Sequence, residues 1–106
     1  MSEEESAVSQ AQEAREESAP AVDVWGLLHY CFLLLHASAW QKMGLVPDPA
    51  TGKVVKDLEQ ARVAIDTAAY LAERLESRLT GQQLRDLRAM LSDLRLNFVQ
   101  QSARPD

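Results

Sequence analysis

Residues 24–40 read VWGLLHYCFLLLHASAW, seventeen positions from Val24 to Trp40 without one Asp, Glu, Lys or Arg. Its helical wheel leaves no substantial polar face. It predicts a helix, from about Asp23 to Met43, that is apolar on every side. Such a helix has to be covered by a core, a partner or a lipid surface. The chain has 106 residues, room for one small domain. A monomer of this size buries only roughly 60–65% of its extended surface. Trp25, Tyr30, Phe32 and Trp40 place most of the aromatic side chains in this one helix. On a 3.6-residue wheel, Trp25, His29, Phe32, His36, Trp40 and Met43 form one stripe. Leu28, Cys31 and Leu35 form another side, and Leu27, Leu34 and Ser38 lie opposite. Asp23 is the expected N-cap and Gly44 the expected C-terminal turn.

Downstream, GLVPDPATGKVVK is a connector. Pro47 and Pro49 withhold two amide donors. Asp48 and Thr51 are suited to nearby amides, and Gly52 to a positive φ. Val54 and Val55 are expected to anchor this loop on the helices. A second helix starts near Asp57, where Asp57-Leu58-Glu59-Gln60 suggests a capping box, and ends around Ser77 to Leu79. Leu58, Ala61, Ile65, Ala68, Ala72 and Leu75 give it a flat, alanine-rich apolar face. Thr80-Gly81-Gln82-Gln83 suggests a second capping box. It opens a third helix whose seam is Leu84, Leu87, Leu91, Leu94 and Phe98. The short link at Thr80 makes the last two helices an antiparallel hairpin. The expected fold is all-α, a short three-helix bundle with an α-hairpin. Its parts are an acidic disordered tail (residues 1–21), a helical domain (22–101) and a frayed C-terminus (102–106). Ser9 to Glu17 are expected to form only transient helical turns.

Charge is unevenly placed. Glu3, Glu4, Glu5, Glu13, Glu16 and Glu17 face only Arg15 in residues 1–20, so the tail supplies the whole net charge of −5. The rest of the chain balances to zero, which leaves no basic excess for nucleic acid and predicts none as a partner. One cysteine, Cys31, rules out an intramolecular disulfide. The start MSEEESAV is acidic and polar, unlike a secretory leader, and the expected setting is the cytoplasm.

Motifs that carry chemistry are sparse. His29 and His36 sit on one face about 10.5 Å apart along a helix, too far to share a metal. Histidines hydrogen-bonded within an interface are the plainer reading. Cys31 has apolar neighbours and reads as a structural thiol. Gly52-Lys53 lacks the spacing of a phosphate loop. Asp66 lies beside the apolar seam of the second helix, where Arg88 or Arg95 of the third can meet it in a structural ion pair. Arg85, Arg88 and Arg95 form a basic stripe, interrupted by Asp86 and Asp93. No catalytic residue, metal or cofactor is expected.

One resemblance is carried by Gly44-Leu-Val-Pro-Asp-Pro-Ala-Thr-Gly52, Leu58, Ala61, Ile65-Asp66, Leu79-Thr80-Gly81 and Leu94-Arg-Leu-Asn-Phe-Val99. Over about Val22 to Gln100 the chain resembles a small bacterial family classed only as a domain of unknown function, DUF1844. The resemblance implies a compact helical protein of the bacterial cytoplasm and brings no activity with it. The chain departs from the family in its aromatic and histidine-bearing first helix and in the Leu79-Thr80-Gly81 turn.

The functional expectation is a non-enzymatic protein that self-associates as a homo-oligomer and binds another protein through the first helix. Trp25, Leu28, His29, Phe32, Leu35, His36 and Trp40 are its interface residues. Two alternatives stay open. One is a peripheral membrane protein with Trp25 and Trp40 at the headgroups, although seventeen residues are short for a span and no basic flank is present. The other is a small ligand sensor or enzyme using His29, His36 and Asp66.

Overall fold

The computed structural model describes residues 23–104. The expectations for the acidic tail (residues 1–21), and for Val22, Pro105 and Asp106, lie outside the described residues. Three helices account for most of the rest: α1 (Val24–Lys42), α2 (Leu58–Leu75) and α3 (Gly81–Ala103), with a short 3-10 turn, Glu76–Arg78, after α2. The all-α hairpin-containing fold is the one the periodicity predicts. Ser102 and Ala103, expected to fray, are helical.

Local chemistry sets the helix ends. Asp23 Oδ1 accepts from the Gly26 amide at 2.8 Å, relieving one of the unpaired donors at the start of α1. At the other end the Gly44 amide donates to the Gln41 carbonyl and the Leu45 amide to the Trp40 carbonyl. These are the paired bonds of a Schellman turn, which needs a left-handed residue. Gly44 supplies it with φ +78°, and a Cβ there would stand 3.2 Å from Lys56 Cβ.

The connector folds back on itself. Met43 and Lys56 form an isolated antiparallel bridge, and the Asp57 amide donates to the Lys42 carbonyl at 2.7 Å. Within the excursion Asp48 Oδ1 accepts from the Ala50 amide and Thr51 Oγ1 from the Lys53 amide. Gly52 takes φ +70°. Val54 and Val55 depart from expectation: both are exposed rather than anchored on the helices, because the bridge already ties the loop base and leaves its second limb outside the core.

Asp57 caps α2 through Oδ1, which accepts from the Gln60 amide at 3.1 Å, and its Oδ2 accepts from Gln60 Nε2 at 2.8 Å. The return bond of a capping box is absent, since the Asp57 amide is engaged by the Lys42 carbonyl. The box expected at Thr80 does not form. Thr80 occupies the N-cap position of α3 with extended backbone, and its side chain caps nothing. Gly81, next in the chain, takes φ +56°, and that left-handed turn replaces the geometry in which a cap hydroxyl reaches the first helical amides.

Two contiguous clusters make the core. Near the connector, Ala39, Met43, Ala61, Ala64, Ile65 and Leu94 are buried, with Leu35, Trp40 and Phe98 packed against them. Toward the hairpin turn, Phe32, Ala68, Ala72, Leu75 and Leu87 are buried under Trp25, Leu28, Leu35, Met90 and Leu91. The early residues of α1 therefore meet the late residues of α2, and α1 and α3 both run antiparallel to α2. The α1–α2 contact is the most extensive and the α1–α3 contact the least. The alanine face of α2 explains this: small side chains permit close approach, and the larger side chains of α1 fill the space above them.

Candidate interaction surface

Packing divides α1 into an inward and an outward half. Phe32 and Ala39 are 0% exposed. Trp25, Leu28, Leu35 and Trp40 are half-buried against the two clusters. Arg78, at the end of the 3-10 turn, stacks over the Trp25 ring at 4.5 Å, a cation–π contact that holds the start of α1 to the hairpin turn. The aromatic stripe named above as the interface thus serves largely as core. Of the residues expected at the interface, Phe32 has no exposed surface left, and Trp25, Leu28, Leu35 and Trp40 keep only part of theirs. The physical reason is volume: a flat alanine face needs bulky side chains opposite it.

His29 and His36 are half-buried. Trp40 Nε1 donates to His36 Nε2 at 3.1 Å, which requires a neutral imidazole protonated on Nδ1. His36 also stacks on Phe32 at 6.3 Å and meets the Trp40 edge at 6.0 Å. Burial pushes the His36 pKa below 6.5, with the Asp93 carboxylate opposing. The histidine is thereby a member of an aromatic ladder along α1. Among the described residues no group of three His, Cys, Asp or Glu side chains is placed to hold a metal ion.

Asp66 pairs with Arg62 of its own helix at 3.9 Å, and Arg88 with Glu76 at 3.5 Å. No ion pair joins Asp66 to Arg88 or Arg95 among the described residues. Arg95 instead lines the same open cleft as Asp66, about 400 Å³ between α2 and α3, together with Tyr70, Glu73, Glu76 and Leu91. Both ion pairs are well exposed, and such pairs contribute roughly 0–1 kcal/mol each. The cleft brings three carboxylates and one arginine together without a histidine, cysteine or serine among them.

The feature the sequence pattern did not single out is the outward half of α1. Val24 is 66% exposed, Leu27 51%, Tyr30 59%, Leu33 42% and Leu34 53%; Gly26 and Ala37 lie exposed among them. From Val24 to Gln41 this face has no charged side chain. The outer face of α2 contrasts with it: Val63 and Tyr70 are exposed there among Glu59, Arg62, Asp66, Glu73 and Arg74. The signal for the outward half lies in the neighbours: the bulkiest side chains of α1 match the flat face of α2, which leaves the leucines opposite for the surface. No helix among the described residues is long and apolar enough to cross a membrane.

A family model described as a domain of unknown function (DUF1844) matches residues 29–100, from His29 in α1 to Gln100 in α3. Neither a curated protein nor a solved structure matches the chain.

Proposed function

Because the chain belongs to the DUF1844 family, a domain family to which no reaction is attached, we propose a function from its surface: a non-catalytic cytoplasmic module that self-associates and docks protein through α1. The observation that supports this is the uncharged outward half of α1, with Leu27, Tyr30 and Leu34 each about half exposed. Covering apolar surface contributes roughly 25 cal/mol per Å² before the costs of association. An exposed strip of leucines with a central tyrosine is the type of patch that marks a contact surface.

The test uses Leu27→Glu and Leu34→Glu. Both side chains are exposed, so circular dichroism should report an unchanged helical fold. Solution mass by light scattering over a concentration series, and capture of partners, should both fall in the variants. Variants that keep the mass and the partners of the intact chain would sink the reading. Flotation of the intact chain with lipid vesicles, abolished by the same substitutions, would overturn it in favour of a lipid-contact surface.

A further inference from the structure

The outward half of α1 is self-complementary when its direction is reversed. Five of its exposed residues are placed symmetrically about a point beside Tyr30, on the N-terminal side of the helix centre: Val24 and Leu27 on one side, Leu34 and Ala37 on the other, Tyr30 between; Leu33, also exposed, has the half-buried Leu28 as its counterpart. We propose that two copies of this chain pair through α1, antiparallel, about a two-fold axis passing near Tyr30. This rests on the docking reading above and names its partner. In that arrangement Leu27 faces the partner's Leu34, Leu34 faces the partner's Leu27, and Val24 faces the partner's Ala37. An isologous contact requires this reciprocity of one patch with itself.

Charge supports the same pairing. The apolar face is bounded by Asp23 at its start and Lys42 at its end. Antiparallel copies set unlike charges at each end, whereas parallel copies set like charges together. The helix dipoles favour the same choice.

The chain outside the described residues adds a second charge argument. Residues 1–22 hold Glu3, Glu4, Glu5, Glu13, Glu16 and Glu17 against Arg15, and they join the molecule at Asp23. All three lysines of the chain, Lys42, Lys53 and Lys56, lie at or beyond the opposite end of α1. A helix of this length spans about 28 Å, several times the roughly 8 Å over which charge acts at physiological salt. The root of each acidic segment is therefore screened from its own lysines, and the cation packed at that end of α1 is Arg78, over the Trp25 ring. Antiparallel pairing sets that root beside the partner's lysine-bearing end.

The experiment uses the full chain with Cys31→Ser and single cysteines introduced as Val24→Cys, Tyr30→Cys or Ala37→Cys, exposed to a mild oxidant. The expected result has four parts. The intact chain has twice the 11.8 kDa monomer mass. Tyr30→Cys cross-links to itself. Val24→Cys and Ala37→Cys cross-link when mixed but not alone. Leu34→Glu raises the dissociation constant at least tenfold with its helical signal intact. Self-cross-linking of both Val24→Cys and Ala37→Cys, in a dimer that Leu34→Glu disrupts, would show parallel pairing; it would overturn this inference and leave the docking reading standing. A monomer at every concentration would overturn this inference and the self-association in the proposed function, and would leave only the docking of a different protein on the face. A dimer indifferent to Leu34→Glu would overturn both.

Discussion

Replacing Phe32 by Ala separates the two halves of α1 energetically. Phe32 is fully buried among Ala68, Ala72, Leu75 and Leu87. Two of these four neighbours are alanines on a helix, with no side chain long enough to swing into the vacated space. Both the transfer and the cavity contributions should therefore be felt, about 3–5 kcal/mol for a buried Phe→Ala change. Domains are stable by only about 5–15 kcal/mol, so the variant should sit near its folding threshold. A loss of 1 kcal/mol lowers Tm by about 4–8 °C in a domain of this size, and the expected fall exceeds 12 °C by the same scaling, about 3 kcal/mol at the least. Urea unfolding followed by circular dichroism gives the free energy, with every variant at one dilute protein concentration because assembly adds to apparent stability. Leu34→Ala, on the exposed half of the same helix, is the control, with an expected loss under about 1 kcal/mol. A Phe32→Ala loss below about 1 kcal/mol, or a larger loss in the control, would refute the inward–outward division.

The capping difference gives another comparison: Asp57→Ala should lose about 0.5–2 kcal/mol with its two bonds to Gln60, whereas Thr80→Ala, whose hydroxyl caps nothing, should lose little. Urea midpoints of the two variants decide it, and equal losses would contradict the structure at Thr80. His36 predicts a pH dependence. Its folded pKa lies below 6.5 because burial penalises the charged imidazole, so the unfolded chain takes up the proton first. Its contribution is complete above 6.5 and declines as pH falls below 6.5 through the folded value. Unfolding midpoints across that window should fall more steeply for the intact chain than for His36→Phe, and identical slopes would exclude the effect. Gly44→Ala should lose about 1–2 kcal/mol, from a left-handed φ and a Cβ pressed on Lys56, whereas a neutral result would mean the Schellman turn relaxes freely.

The second and third helices were legible because their apolar residues recur on one face. Ala61, Ile65, Ala68, Ala72 and Leu75 are buried, as are Leu87 and Leu94, and a period near 3.6 leaves little freedom about which side turns inward. Asp23 and Asp57 were legible because a carboxylate three residues before an amide is a local arrangement. The orientation of α1 was not. A helix that is apolar all round has no preferred face of its own, and its rotation is set by shape against α2. Phe32 and Ala39 fit the alanine surface, and Leu27 and Leu34 are left outside. The partner of Asp66 was illegible for a different reason. Arg62 lies one helical turn away on the same helix, within reach whatever the tertiary register, whereas a bond to α3 depends on a register that sequence does not report. Thr80 shows the limit of a motif: the right residues stand at the right spacing, but Gly81 bends the backbone before the bond can close.

The bridge between Met43 and Lys56 makes the proline-bearing connector a closed excursion, pinched at its base by the Asp57-to-Lys42 bond. The relation between α1 and α2 is fixed below the excursion and owes nothing to the length above it. Doubling a flexible loop adds only about 0.6 kcal/mol of closure entropy, and the tip around Pro49 and Ala50 is exposed. That tip is accordingly a graft site: an epitope or a fluorescent peptide inserted there would ride on the molecule without altering how its helices meet, and without touching the face through which α1 works.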